Sequence, residues 1–272
     1  MPSELIDRVS ELLRQAAGDI VLPRFRQLEA CDVCEKSPGE IVTVVDRAVE
    51  AMLIPALAGL RAGSRVVGEE GVADNPALLQ GLDRGEVWVV DPIDGTSNFV
   101  NGKEDFGIMV ALLRDGVALM SWIQFPVTGV LAVAERGAGA YIDGQRLQLP
   151  AHAAERPTAL RGIVKTGFMP EPMRGIVDAR AERHVQQRIA GTQSACGDYV
   201  SYARGDTDLG LYWRMLPWDH APGTLLLTEA GGHVARHDGG PYHIADPGKG
   251  LLVARSRDIW EQAQSLLLEA TW

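Results

Sequence analysis

The chain has 272 residues, 46% of them hydrophobic, and a formal net charge of −10. That is enough apolar material for the core of one large α/β unit, and the acidic balance excludes the broad basic face that nucleic-acid binding needs. No window reaches the ~18 uninterrupted apolar residues of a membrane span, and the amphipathic start with Glu4, Asp7, Arg8 and Glu11 is not a signal peptide.

Taken in order, Leu5, Ile6, Val9, Leu12, Leu13, Ala16, Ala17, Ile20 and Val21 give residues 3 to about 25 a helical spacing, so a helix is expected with Ser3 as its N-cap and Pro23 marking its end. Residues 26–40 read as polar and turn-rich, and a second helix as spanning about Val44 to Leu60 behind Thr43. The three cysteines are few enough for a reducing cytoplasm, and Cys31 and Cys34 read as two ordinary thiols, since no second pair lies near them. Arg65–Gly68 reads as a strand ending at Glu69-Glu70, and Val87-Trp88-Val89-Val90 as a buried strand that stops at Asp91, because Pro92 has no N–H to continue it.

From Phe106 to Ile142, short apolar runs alternate with turn signals such as Arg114-Asp115-Gly116, the pattern of an antiparallel meander. The second half reads as more α/β: a strand at Ile163–Lys165, helices near 178–190 and 196–204, and a strand at Leu209–Trp213. A helix then runs from Trp218-Asp219 to Gly231-Gly232, followed by a strand at Gly250–Ala254 and a terminal helix capped by Ser256.

The stretch that organises the rest is Asp91-Pro92-Ile93-Asp94-Gly95-Thr96-Ser97-Asn98-Phe99. Two carboxylates share a tight turn, Gly95 permits an unusual φ or a close approach, and Thr96 and Ser97 read as caps of a short helix. Hard oxygens suit Mg²⁺, and N–H groups at a helix start suit phosphate. Asp46, Glu69 and Asp219 also abut core segments, where unpaired charge is expensive. Few Lys or Arg lie near them in sequence, so a cation is the economical partner.

These segments resemble the inositol monophosphatase family of Mg²⁺-dependent, lithium-sensitive phosphatases. The matching elements are Asp91-Pro92-Ile93-Asp94-Gly95-Thr96, Gly68-Glu69-Glu70, Trp218-Asp219 with Glu229-Ala230-Gly231-Gly232, and Lys36 followed by Val42-Thr43 and Asp46, in order over nearly the whole chain. The resemblance implies a layered αβαβα sandwich with a larger antiparallel sheet in the first half and a smaller sheet in the second. It also implies one unit over 1–272 with halves 1–145 and 146–272, a cytoplasmic homodimer, and no nucleic-acid or membrane partner. Glu69, Asp91 and the Ile93 carbonyl would hold a first Mg²⁺, and Asp91, Asp94 and Asp219 a second. Glu69 would face a third, and Mn²⁺ is a possible substitute. Gly95 and Thr96 would present amides to the phosphate, with Asp94 beside it. Thr96, hydrogen-bonded to Asp46, and Glu69 would orient and deprotonate a metal-activated water. The activity implied is phosphate monoester hydrolysis on a small polyol or sugar phosphate of the inositol 1-phosphate type. Alternatives on the same fold are a 3′(2′),5′-bisphosphate nucleotidase, a fructose-1,6-bisphosphatase or a histidinol-phosphatase, and a non-catalytic metal-binding relative is a further reading.

Two positions depart from the family's inositol-handling pattern. The turn Gly191-Thr192-Gln193-Ser194-Ala195 has Gln193 where a Gly would align, and Tyr212 stands where a Glu is usual. Ser194, Ala195, Tyr212 and Arg214 are the expected substrate contacts: Tyr212 and Trp213 offer rings for stacking, and Arg214 a partner for a second phosphate. Alternation along a strand equally allows Trp213 in the core and Arg214 in solvent. His220 is read either as a substrate contact or as structural. His152, His184, His233, His237 and His243 read as surface or loop residues.

Overall fold

A computed structural model describes residues 3–37, 39–150, 160–188, 192–245 and 249–269. The first half runs α1 (Glu4–Ala16), β1 (Val33–Ser37), β2 (Glu40–Thr43), α2 (Val44–Leu60), β3 (Arg65–Gly68), α3 (Glu69–Asp74), β4 (Glu86–Asp94) and α4 (Thr96–Val100). The meander follows as β5 (Gly107–Arg114), β6 (Val117–Gln124), β7 (Leu131–Glu135), β8 (Gly139–Ile142) and β9 (Gln145–Leu147). The second half runs β10 (Leu160–Val164), α5 (Met173–His184), β11 (Val185–Arg188), α6 (Ala195–Arg204), β12 (Leu209–Tyr212), α7 (Pro217–Glu229), β13 (His233–Arg236), β14 (Leu251–Ala254) and α8 (Arg257–Leu268).

The elements stack as the resemblance implies. The seven-stranded sheet has order β3-β4-β5-β6-β7-β8-β9, antiparallel except for the parallel pair β3 and β4. Its central strands carry continuous apolar runs, Val87–Val90 in β4 and Ile108–Leu113 in β5, because both faces are covered there. Trp88, Val90, Val110 and Trp122 face α1 and α2. Val87, Val89, Met109 and Ala111 face the opposite way, into a cluster with Tyr199 of α6 and Leu225 and Leu226 of α7. That cluster also takes in Ile163, Leu251 and Val253 of the five-stranded sheet, β11-β10-β12-β14-β13. The far face of the smaller sheet packs Leu209, Leu211 and Leu252 against Val177 of α5 and Ile259 and Leu267 of α8.

Several local expectations are corrected. The first helix ends at Ala16, and the chain continues as a wider π turn to Val21 and a tight turn to Arg24, with Pro23 in the tight turn. Ser3 precedes α1 without a side-chain cap bond; its amide donates to Glu135 instead, at 3.0 Å. The turn-rich region contains the β1–β2 hairpin, and Glu69-Glu70 opens α3. The expected helix at 178–190 begins earlier and gives way to β11 at Val185. His233–Arg236 forms β13, which local pattern did not signal.

The consequential correction concerns β4, which does not stop at Asp91 but runs through Pro92 to Asp94. Asp91 pairs with Met109 and Asp94 with Gly107, so one extra residue bulges out of β4 between them. Pro92, having no N–H, sits in that bulge, where no ladder bond is required of it. The bulge also re-aims the carboxylate that follows it.

The packing between the sheets is close. A Cβ on Gly223 of α7 would lie 2.0 Å from Cγ of the buried Tyr199 ring. Gly→Ala inside a helix usually gains up to about 1 kcal/mol, but here overpacking is expected to cost about 1–3 kcal/mol. Urea unfolding of Gly223→Ala should show a lower midpoint at unchanged slope; a raised midpoint would contradict this contact between α6 and α7.

Candidate metal and phosphate site

The site forms where the β4 bulge meets the starts of three helices. Gly95 has φ +85, and a Cβ there would come within 2.9 Å of the Ser194 Cβ, so both the conformation and the space call for glycine. Gly95 precedes α4, and Thr96 is its first residue, not the cap read from the sequence. Asp219 lies in the first turn of α7 and keeps partial exposure. Oxygens of Asp91, Asp94 and Asp219 all lie within 4.8 Å of one another. One cavity is lined by these three residues together with Glu69, Ile93, Gly95 and Thr96.

Asp94 is held from behind. The amides of Ala195 and Cys196, at the start of α6, donate to its Oδ1 and Oδ2 at 2.9 and 2.6 Å. Ala195, expected as a substrate contact, therefore directs its N–H to Asp94. Gln193 in the preceding turn has φ +62, the left-handed region that makes glycine the easier residue there.

A second group converges from α2, α3 and β1. Asp46 closes a capping box, its Oδ2 accepting from the Thr43 amide at 2.9 Å and hydroxyl at 2.5 Å. Its Oδ1 faces the Thr96 hydroxyl at 3.1 Å, and the same hydroxyl lies 2.9 Å from the Ile93 carbonyl. The Lys36 ammonium bridges Glu69 and Glu70 at 2.8 and 2.5 Å. Glu69 lines the cavity but stands with Lys36, outside the three-aspartate cluster. Glu50 accepts from the amides of Glu70 and Gly71 and so fixes the start of α3.

The electrostatics are those of a crowded anionic cage. Burial, then the charges of Glu69 and Asp94, lifts the Asp91 carboxyl well above the usual range. Burial, Asp94 and Glu69 do the same to Asp219, opposed by Arg214 and Lys165. Burial raises Asp94, against the hydrogen bonds from Cys196 and Ala195. Burial pushes Asp46 up to about 6 despite its Thr43 bonds. It pushes Glu70 up to about 7 despite Lys36. Burial alone would depress Lys36, but Glu69 and Glu70 outweigh it and raise its pKa. The Oδ1 atom of Asp91 is buried with no hydrogen-bond partner among the described residues. An orphaned oxygen among mutually repelling carboxylates fits a hard divalent cation, which supplies the missing partner and removes the repulsion.

A second cavity adjoins the first through Asp94, Gln193, Arg214 and Asp219. Tyr212 lines it but is buried, and its hydroxyl turns inward, accepting from Tyr202 at 2.8 Å and donating to Asp198 at 3.3 Å. The Arg214 side chain is 36% exposed, pairs with Glu40 and lies over the Phe168 ring. Ser194 is buried and hydrogen-bonded to Thr192 at 2.8 Å. His220 is structural, its Nε2–H donating to the Arg214 carbonyl at 3.1 Å, which leaves Nδ1 to accept from Tyr199 at 2.8 Å. Burial holds its pKa down at about 3. His237 is buried, not superficial, and packs 6.0 Å from Trp213; His152 lies outside the described residues. Cys31 and Cys34 are exposed free thiols. Sequence reasoning missed Lys165, whose Nζ is 2.6 Å from the fully buried Asp198, and it missed Phe168. A charge directly after the apolar Ile163-Val164 was the one local hint of Lys165.

Residues 2–272 match the sequence profile of the Inositol monophosphatase family. An inositol-1-monophosphatase of Rhizobium meliloti (strain 1021) is 34% identical over 233 residues, 82% of this chain and 82% of that one. A fructose-1,6-bisphosphatase/inositol-1-monophosphatase of Thermotoga maritima is 29% identical over 210 residues, 76% of this chain and 77% of its own. The solved inositol monophosphatase-II of Staphylococcus aureus MSSA476 superposes with a TM-score of 0.80 at 26% identity, over 98% of this chain and 94% of that one. A fold, a carboxylate cage and a sequence match that agree over the whole length have one reading: the chain belongs to the inositol monophosphatase family.

Proposed function

We propose that this phosphoric monoester hydrolase cleaves the phosphate ester of a small polyol or sugar, in the manner of inositol 1-phosphate, with magnesium held in the carboxylate cage. The observation that carries this reading is the meeting of Asp91, Asp94 and Asp219 oxygens within 4.8 Å around an unpartnered Asp91 Oδ1. Glu69, Asp91 and the Ile93 carbonyl would hold one ion, and Asp91, Asp94 and Asp219 a second. Glu69 would face a third, and Mn²⁺ would substitute. Bound there, divalent ions offset the ester's negative charge, acidify a water and stabilise the leaving oxygen.

The chain's own part is orientation and proton handling. Thr43 fixes Asp46, and ionised Asp46 takes the hydrogen of the Thr96 hydroxyl. That leaves the Thr96 lone pairs to accept from the attacking water and set its direction. Glu69, 2.8 Å from the Lys36 ammonium, is placed to take the proton. Gly95 and Thr96 amides at the start of α4 orient the phosphate, and Ser194, Tyr212 and Arg214 border the leaving group. A homodimer in the cytoplasm and inhibition by lithium belong to the same proposal. So does a single unit over 1–272, supported by the hydrophobic cluster that spans both sheets.

Asp91→Asn should reduce kcat/KM at least about a hundredfold, as loss of a metal-supporting group does. The metal-free variant should melt no lower than the parent, because a buried like charge has been removed. Retained Mg²⁺-dependent phosphate release would end the assignment. Lithium at millimolar concentration should inhibit, and an indifferent enzyme would count against the proposal.

The raised carboxyls also set a pH dependence. A folded chain whose acids titrate above their unfolded values binds more protons than the unfolded chain, so its stability falls as pH rises. With Asp46 at about 6 and Glu70 at about 7, these two carboxyls contribute a loss of stability between pH 5 and pH 8, opposed below about pH 6.5 by the buried imidazoles of His220 and His237, which stay neutral down to about 3 and about 4. Mg²⁺ at about a hundredfold excess over its Kd should restore about 2.7 kcal/mol, read as roughly 5 °C, with the larger gain at the higher pH. A gain that shrinks as pH rises would contradict the cage.

A further inference from the structure

The turn that holds Asp94 also carries a residue with no task inside the fold. Gln193 lines both the carboxylate cage and the cavity beside it. It is exposed, and among the described residues its side-chain amide has no hydrogen-bond partner. The other polar groups around the second cavity are committed. The Tyr212 hydroxyl serves Asp198 and Tyr202, and both His220 nitrogens are used inside the fold. Lys165 is paired with Asp198, Arg214 with Glu40, and Ser194 with Thr192.

The backbone of Gln193 is held against its own preference. Its φ of +62 lies in the left-handed region, which a residue with a side chain keeps where the surroundings over-determine it. Here they do. On one side, the Thr192 carbonyl accepts from Asn98 at 2.6 Å and the Thr192 amide donates to Asp198 at 3.2 Å. On the other, the amides of Ala195 and Cys196 donate to Asp94. The Cβ of Ser194, the next residue, is 2.9 Å from where a Cβ on Gly95 would stand, so the turn rests on the glycine that precedes α4. Gln193 is thus mounted on a fixed base where the two cavities meet, and a group so mounted loses less freedom when it binds.

The chemistry of the free group narrows what it can meet. A primary amide donates and accepts, and so does a hydroxyl. A phosphate oxygen accepts, and cations and helix-start N–H groups serve it better.

We propose that Gln193 is a specificity-determining residue: its side-chain amide reads a hydroxyl on the carbon next to the ester carbon of the leaving group. The inference rests on the phosphatase reading of the same site and adds the residue by which that site tells a hydroxylated leaving group from its deoxygenated counterpart.

The test pairs esters that differ in their hydroxyls. Glycerol 2-phosphate is set against isopropyl phosphate, and inositol 1-phosphate against cyclohexyl phosphate, with Mg²⁺ present and phosphate release as the readout. Each pair gives a ratio of kcat/KM, hydroxylated over deoxygenated. Gln193→Met keeps the length of the side chain without the amide, and Gln193→Gly removes the side chain and suits the left-handed backbone. A hydrogen bond contributes a factor of about five to an equilibrium, so in at least one pair both variants should lower the ratio at least about threefold, chiefly by raising KM for the hydroxylated ester. Comparing ratios cancels the intrinsic reactivity of each leaving group and any general change in the cage. A ratio that survives either substitution in both pairs would overturn the role of Gln193 and leave the phosphatase standing. So would a parent chain that turns over the deoxygenated esters alone. No release from any ester would overturn the phosphatase reading itself.

Discussion

The structure depends on holding like charges together in its interior. Asp91 and Asp94 sit at the end of a buried strand, and Asp219 is brought against them by α7. Such a cage is unfavourable by itself, as the upward displacement of all three carboxyls records. The fold offsets this locally. Two amides at the start of α6 satisfy Asp94, where the positive end of the helix favours an anion. Lys36 answers Glu69 and Glu70, and Thr43 answers Asp46. Asp91 Oδ1 is left over, and that residual deficit is the physical case for a cation.

This arrangement also joins the two halves of the chain at the carboxylate cluster. The turn at 192–195 belongs to the second half but completes the setting of Asp94 in the first. The tie is reinforced by the Asn98 amide nitrogen, which donates to the carbonyls of Asp105 and Thr192, each at 2.6 Å. Fully buried Asp198 then locks the turn by accepting from the Thr192 amide and hydroxyl. On its other oxygen it meets Lys165 and Tyr212. Residues that line the second cavity thus belong to the same network that holds Asp94.

The carboxylate cluster was legible because its signals are local. Gly95 was marked by a conformation other residues avoid, Thr43 by its place just before the second helix, and the β4 aspartates by the apolar run before them. The meander was legible because turn residues punctuate it every few positions. The part around the second cavity was not. Tyr212 and Arg214 line that cavity, yet their partners Asp198, Tyr202 and Glu40 are distant in sequence or on other elements. Nothing local says whether a tyrosine hydroxyl points into a cavity or away from it.

By itself, then, the sequence determined most of the elements in their order and the identity of the acidic residues, and its motifs implied the layered α+β class through their resemblance to a family. The elements follow from hydrophobic period and turn chemistry, both of which act over a few residues. Tertiary structure alone decided that β4 bulges through Pro92, that Glu69 stands with Lys36 while three aspartates converge, and that aromatic rings wall the second cavity. Each of these turns on which side chains meet across the sheet and between the layers, and such meetings are settled only when the buried faces pack.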